Sequence, residues 1–242
     1  EFRAFMDREI QRGLSWRTLQ RMSSALVKVG CLIGHSASFI ALGERYSHKI
    51  RDLVSADAIR GPSRATPSPD IVRRTIEILR EWDARHFERT DEPRAYHLVA
   101  RLQVETSCRS ISATTRLTRE ALHPDNRVAL QAKGGRVQEF ILPPELHRQL
   151  SLYFGVCGGR LADQDGYRMA YHRAIEAVGG QVTGTHGLRR LSVQDFYRQQ
   201  YRTAIGDGLS PRAAAEQAAG DAVERLGHSR SRADHRRAYL GR

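Results

Sequence analysis

The chain has 242 residues, 40% of them hydrophobic, which is enough for two small domains or one large one around a buried core. A formal net charge of +12 favours a polyanionic partner, and no apolar run approaches the roughly 20 residues needed to cross a bilayer. Cys31, Cys108 and Cys157 are too scattered for a disulfide framework or a paired metal site, so a reducing cytoplasm is the expected setting.

The positive charge is almost wholly arginine, the lysines being Lys28, Lys49 and Lys133. Arginine's planar fork grips phosphate oxygens in pairs, which suits nucleic acid better than a diffuse membrane surface. A GC-rich genome that encodes arginine in place of lysine would give the same bias. The chain does not begin with Met, so its N-terminal part is expected to be incomplete.

In chain order, Ser15 can cap a helix whose apolar face runs through Leu19, Met22, Leu26, Val29 and Ile33, and a second helical stretch surrounds Ile50, Leu53 and Val54. Residues 56–70 carry Gly61, Pro62, Pro67 and Pro69 among serines and read as a linker. The expected division is therefore a helical domain over 1–62 and a second domain over 63–242. Ser68-Pro69-Asp70 starts a helix that turns Val72, Ile76, Leu79 and Trp82 inward, and another helix covers about Arg94 to Glu105. The clear β signal is Arg127–Leu142, two alternating runs around a turn at Lys133-Gly134-Gly135. Helices follow over Pro144–Phe154, through Tyr167, Tyr171, Ala174 and Val178 to Gly179-Gly180, from Thr185 onward, and from Ser210-Pro211 to about Leu226-Gly227. The expected class is mainly α with one small antiparallel β-hairpin.

Singly, the polar residues near these elements carry ordinary readings. His186 and Arg189 in Thr185-His186-Gly187-Leu188-Arg189 share a helix face and could be a surface pair. His228 in Leu226-Gly227-His228-Ser229 could cap a helix, Tyr239 could be a partly buried aromatic, and Lys133 a solvated turn residue. Their order carries more information: Arg109 after a helix, a lysine at a hairpin turn, His-x-x-Arg, Leu-Gly-His-Ser, then a tyrosine.

That order resembles the catalytic domain of the tyrosine recombinases, the phage integrase family, over about Pro67 to Arg242. The N-terminal segment is similar, more loosely, to that family's helical core-binding domain. The resemblance implies a site-specific recombinase, serving a mobile genetic element or a chromosome, that cleaves and rejoins double-stranded DNA through a 3′-phosphotyrosine. Tyr239 would be the nucleophile, and Arg109 and Arg189 would clamp the non-bridging phosphate oxygens. Lys133 would protonate the departing 5′-oxygen, His186 and His228 would hydrogen-bond the phosphate, and His186 could take the tyrosine proton. The tyrosyl ester conserves the energy of the broken bond, so no cofactor, metal or ATP is expected. The implied assembly is a homotetramer built from dimers on DNA, with an accessory DNA-bending protein as a possible partner.

Some positions depart from the family pattern. Ser112 stands where an acidic residue is usual, Ser107 replaces a common glycine, and Arg190 stands where His is frequent. The stretch from Arg189 to His228 is longer than usual, with a polar insertion near Tyr201–Ser210, and Tyr239 lies slightly further from His228. A catalytically inactive or regulatory DNA-binding relative and a type IB topoisomerase-like enzyme are the alternatives.

Overall fold

The structure is a computed structural model and describes residues 1–12, 16–53, 66–90, 94–132, 135–181, 184–227 and 239–240. Contacts among them separate the chain into two compact units, Glu1–Ser63 and Arg64–Arg242.

In the first unit, α1 (Phe2–Gln11), α2 (Trp16–Leu32) and α3 (Ser36–Leu53) surround a core of Phe2, Met6, Leu19 and Tyr46. The Phe2 ring meets Phe39 edge-on at 5.5 Å, and the Tyr46 hydroxyl donates to the Arg3 carbonyl at 3.1 Å. The helix expected from Leu19 onward is present, and Leu19, Met22 and Leu26 face its core as expected. Further along, Gly30 is buried whereas Val29 is 50% and Ile33 60% exposed. Two glycines account for that departure. A Cβ on Gly30 would lie 2.0 Å from Phe39 Cγ, and one on Gly43 would lie 2.4 Å from Val27 Cγ2. Backbone-to-side-chain approach this close fixes which faces of α2 and α3 meet, against the apolar period. The second stretch was expected near Ile50, yet α3 begins at Ser36; Ser15 and Val54 lie outside the described residues.

The second unit is mainly helical with one two-stranded antiparallel sheet. Helix α4 (Pro69–Thr90) starts as expected, with the Ser68 hydroxyl accepting from the Ile71 amide at 3.3 Å and Val72 and Leu79 buried. Buried Asp83 on α4 accepts from Arg94 Nε at 3.1 Å and from the His97 amide at 3.0 Å, and it pairs with His97 Nδ1 at 2.8 Å. This docks α5 (Tyr96–Thr106), seven of whose residues are buried, so it forms the centre of the core. A short α6 (Ser110–Thr114) and a 3-10 turn (Arg119–Ala121) lead to β1 (Arg127–Gln131) and β2 (Val137–Ile141). Val128 pairs with Phe140 and Leu130 with Gln138, which puts this face toward the core while Val137 and Ile141 lie exposed. Helices α7 (Pro144–Cys157) and α8 (Gln164–Ala177) close the core, the latter ending at Gly179 with φ 73°.

The last pair is α9 (His186–Gly206) and α10 (Pro211–Arg225), capped by the Ser210 hydroxyl on the Ala213 amide at 3.3 Å. Ala218, Ala219 and Ala222 of α10 bury against Val193 and Tyr197 of α9. The polar stretch near Tyr201–Ser210 prolongs α9 to Gly206 and then turns into α10. No described helix is long and apolar enough to cross a membrane.

The glycine contact yields a prediction for the first unit. Gly30→Ala raises helix propensity by about 1 kcal/mol but forces Phe39 to move. The expected net effect is a destabilisation of about 1–3 kcal/mol in denaturant unfolding; a stabilised Ala variant would show that the α2–α3 contact yields freely.

Candidate active site

Arg109 is presented by a turn that buried hydrogen bonds over-determine. Helix α5 ends at Thr106, whose hydroxyl donates to the Leu102 carbonyl at 2.7 Å and accepts from the Cys108 amide at 3.3 Å. Ser107 follows with φ 57°, the left-handed conformation that favours glycine. Its hydroxyl compensates, lying 2.6 Å from the Ser192 hydroxyl on α9 and accepting from Arg225 Nε at 3.3 Å. The Cys108 carbonyl accepts from Gln103 Nε2 at 3.2 Å, and Gln103 Oε1 accepts from the buried Tyr167 hydroxyl at 2.7 Å. Arg109 then stands at the N-cap of α6, half-buried, its carbonyl accepting from the Ser112 amide at 3.0 Å and its guanidinium making no hydrogen bond or ion pair among the described residues. Ser112 fixes the other side of this segment, its hydroxyl donating to the Gln131 carbonyl of β1 at 2.8 Å.

Arg189 lies on the first turn of α9 and is 3% exposed. One Nη2 donates to the Leu226 carbonyl at 2.9 Å, while its Nε is enclosed and has no acceptor among the described residues. Its guanidinium carbon lies 5.8 Å from the centroid of the Tyr239 ring. Burial lowers the Arg189 pKa; the Tyr239 side chain opposes that shift and the Arg109 charge reinforces it. Two guanidiniums are therefore close enough to repel.

His186, the first residue of α9, is exposed at the lip of the same recess. Arg109, His186 and Arg189 together with Gln103, Gln164 and Thr185 line a cavity of about 130 Å³. A second crevice, about 10 Å³, is shared by Arg109 and Arg189 on the hairpin side, where it meets Ser112, Gln138 and Phe140. Among the described residues no carboxylate lines either one. A larger groove of about 360 Å³, along Ile76, Val104 and Leu191, mixes Arg73 and Arg101 with Glu105 and Asp195, so its charges offset one another.

Tyr239 is half-buried against the α9–α10 cluster, and its carbonyl accepts from Gln194 Nε2 at 3.0 Å. Arg109, His186, Arg189 and Tyr239 are thus brought together, while Lys133 and His228 lie outside the described residues. Their flanks are held. Ala132 donates to the Arg136 carbonyl at 2.7 Å across the hairpin neck, and Gly227 has φ 76°, where a Cβ would lie 3.0 Å from Gln138 Oε1. Gln138 Nε2 in turn donates to the Glu224 carbonyl at 3.1 Å, joining the hairpin to the end of α10. Arg190 packs with its Nε enclosed and no acceptor among the described residues.

Sequence reasoning missed Ser192, Gln138 and Arg225. Ser192 follows Arg189 by three positions and so shares its helix face, a signal that was available. Gln138 and Arg225 gave none beyond ordinary strand and helix-end chemistry.

No family model matches the chain, and no curated protein matches it.

What this geometry can do chemically is bind a compact anion. Two guanidiniums that face one cavity with no carboxylate beside them among the described residues attract a negative group between them, and a tetrahedral oxyanion offers each a pair of oxygens. Cys108, beside both arginines, stays a thiol: burial pushes its pKa up to about 11. Stability is therefore fully present below about pH 9, and it falls as pH rises toward 11, because the unfolded chain releases a proton that the folded one keeps. Urea unfolding at about pH 8 and pH 10.5 should show a loss of about 2 kcal/mol that Cys108→Ala removes; an equal loss in the variant would assign the slope to other groups.

Proposed function

We propose that the chain is a tyrosine site-specific recombinase, with its second unit adopting that family's DNA breaking-and-rejoining catalytic fold. The observation that carries the reading is the convergence of Arg109, Arg189 and His186 on one small cavity, with Tyr239 against Arg189. A net charge of +12 supports duplex DNA as the substrate. The Tyr239 hydroxyl attacks the scissile phosphorus, forming the 3′-phosphotyrosyl ester as the bond to the 5′-oxygen breaks. Arg109 and Arg189 neutralise the charge that builds on the non-bridging oxygens. His186, at the lip, accepts the tyrosine proton, and Lys133 gives one to the leaving 5′-oxygen, as the resemblance of the sequence implies. His228 adds a phosphate hydrogen bond. Rejoining is the reverse attack by a 5′-hydroxyl, so no ATP or cofactor enters. The working assembly is a homotetramer of paired dimers on two DNA sites, with the N-terminal helical unit gripping the duplex and an accessory protein bending it.

The test is covalent capture. A pool of nicked duplexes with randomised sequence is incubated with the protein and selected for retention after denaturation. Wild type should yield a phosphotyrosyl adduct at Tyr239, and Tyr239→Phe should yield none while retaining duplex affinity. No adduct from wild type would refute the reading. An adduct surviving in the Phe variant would move the nucleophile to another tyrosine, Tyr197 or Tyr201 being nearest in sequence. Relaxation of a supercoiled plasmid without exchange between two sites would favour the topoisomerase-like alternative.

Arg189 should be intolerant of its own charge class. Lysine keeps the cation but loses the fork, and it cannot span both the Leu226 carbonyl and an oxyanion. Arg189→Lys should slow cleavage of the selected duplex by about 10²–10³-fold, with duplex affinity changed only slightly. Equal single-turnover rates would make Arg189 a purely structural residue.

A further inference from the structure

Arg225 occupies the last turn of α10, where a basic side chain ordinarily faces solvent and its own helix carbonyls. Here it turns inward. Its Nε donates to Ser107 Oγ at 3.3 Å and its Nη2 to the Glu105 carbonyl, one of the open carbonyls at the end of α5. The guanidinium carbon lies 4.4 Å from the Phe196 ring centroid on α9 and 5.4 Å from that of Phe140 on β2. One planar cation thus touches α5, α9 and the hairpin from α10. Burial lowers its pKa, with the Glu105 charge opposing.

Packing alone does not call for an arginine there. A leucine between two phenylalanine rings would fill the space without desolvating a charge, and removing a buried charge in favour of an apolar side chain is often neutral or stabilising. What the arginine adds is directed donors, and both go to the turn that presents Arg109. The neighbouring residue, Leu226, supplies the carbonyl that holds Arg189. Arg225 itself lines neither of the crevices that Arg109 and Arg189 share.

We propose that Arg225 is a positioning residue for the anion site, setting Arg109 against Arg189 by fixing the Glu105–Ser107 turn onto α9 and α10. It touches no reacting atom. The role rests on the recombinase reading, because its consequence is the spacing of two phosphate ligands. A loosened turn lets Arg109 drift, and misplacement of about 1 Å at a reacting centre can slow chemistry about a hundredfold. Lysine offers no flat face for the two rings and cannot hold both acceptors in one plane.

The experiment is single-turnover cleavage of the duplex recovered by covalent capture, reading amplitude and rate constant separately. Amplitude reports the fraction of folded, competent protein, and the rate constant reports the site within that fraction. Arg225→Lys should keep full amplitude and duplex affinity while the rate constant falls about ten- to a hundredfold. Ser107→Ala, which deletes one acceptor, should fall in the same direction, and the double variant should be no slower than the Lys variant alone. An unchanged rate constant in the Lys variant, with or without lower amplitude, would overturn the positioning role and leave the recombinase reading standing. So would a fall matched by an equal loss of duplex affinity. Failure of wild type to form any adduct would overturn both the reading and this role.

Discussion

Burying the Arg189 guanidinium is the constraint on which the rest of the second unit depends. A cation that is 3% exposed has lost nearly all its hydration and must be compensated by acceptors fixed in place. Among the described residues the Leu226 carbonyl accepts from it, and the Tyr239 side chain lies alongside. That carbonyl is available only because α10 ends there and the chain turns through Gly227 at φ 76°. The end of α10 is in turn held by Gln138 of β2 and, through Arg225, by the end of α5. Four elements that are distant in sequence are thereby locked to the surroundings of one side chain.

The turn from Thr106 to Arg109 shows how such a lock is built without charge pairing. Beside the Arg225 guanidinium its fastenings are neutral groups: two serine hydroxyls facing each other at 2.6 Å, a glutamine amide, a threonine hydroxyl and a tyrosine hydroxyl. Each is buried, so each lost bond would leave a desolvated donor or acceptor, at about 1–3 kcal/mol. Ser107 is the informative member. Its left-handed backbone would cost a glycine nothing, yet the hydroxyl gained by using serine ties α5 to both α9 and α10.

Much of the second unit could be read from sequence because its signals are local. Ser68-Pro69, the Lys133-Gly134-Gly135 hairpin, Gly179 and Ser210-Pro211 each dictate a boundary by backbone chemistry, and the described residues at these points follow. The first unit was less legible. The apolar period put Val29 and Ile33 inside, but Gly30 and Gly43 decide the α2–α3 face by close approach, a tertiary effect that no period encodes. Helix α1, whose N-cap Glu1 makes no side-chain cap hydrogen bond and whose first turn holds no acidic residue, gave no start signal. At the site, Arg109, His186, Arg189 and Tyr239 could be singled out by order along the chain. Gln138 and Arg225 could not, since their role exists only where strand, helix end and turn meet.

Among the described residues, those lining the cavity include no carboxylate, and this has an electrostatic consequence. An acidic residue near Arg109 would hold its guanidinium firmly but cancel part of the field that an incoming phosphate feels. Ser112, at the position where an acid would be expected, ties α6 to β1 through the Gln131 carbonyl and brings no negative charge. The network therefore separates two tasks that an ion pair would merge: hydrogen bonds to hydroxyl, amide and carbonyl groups fix the geometry, and no carboxylate among the described residues cancels the charge of Arg109. The repulsion between the two arginines, visible in the lowering of the Arg189 pKa by Arg109, is tolerable because the fold holds both ends of the pair. It becomes an attraction for whatever dianionic or bridging oxyanion enters between them. The hydrogen bonds of the Ser107 turn are what hold Arg109 at that spacing from Arg189.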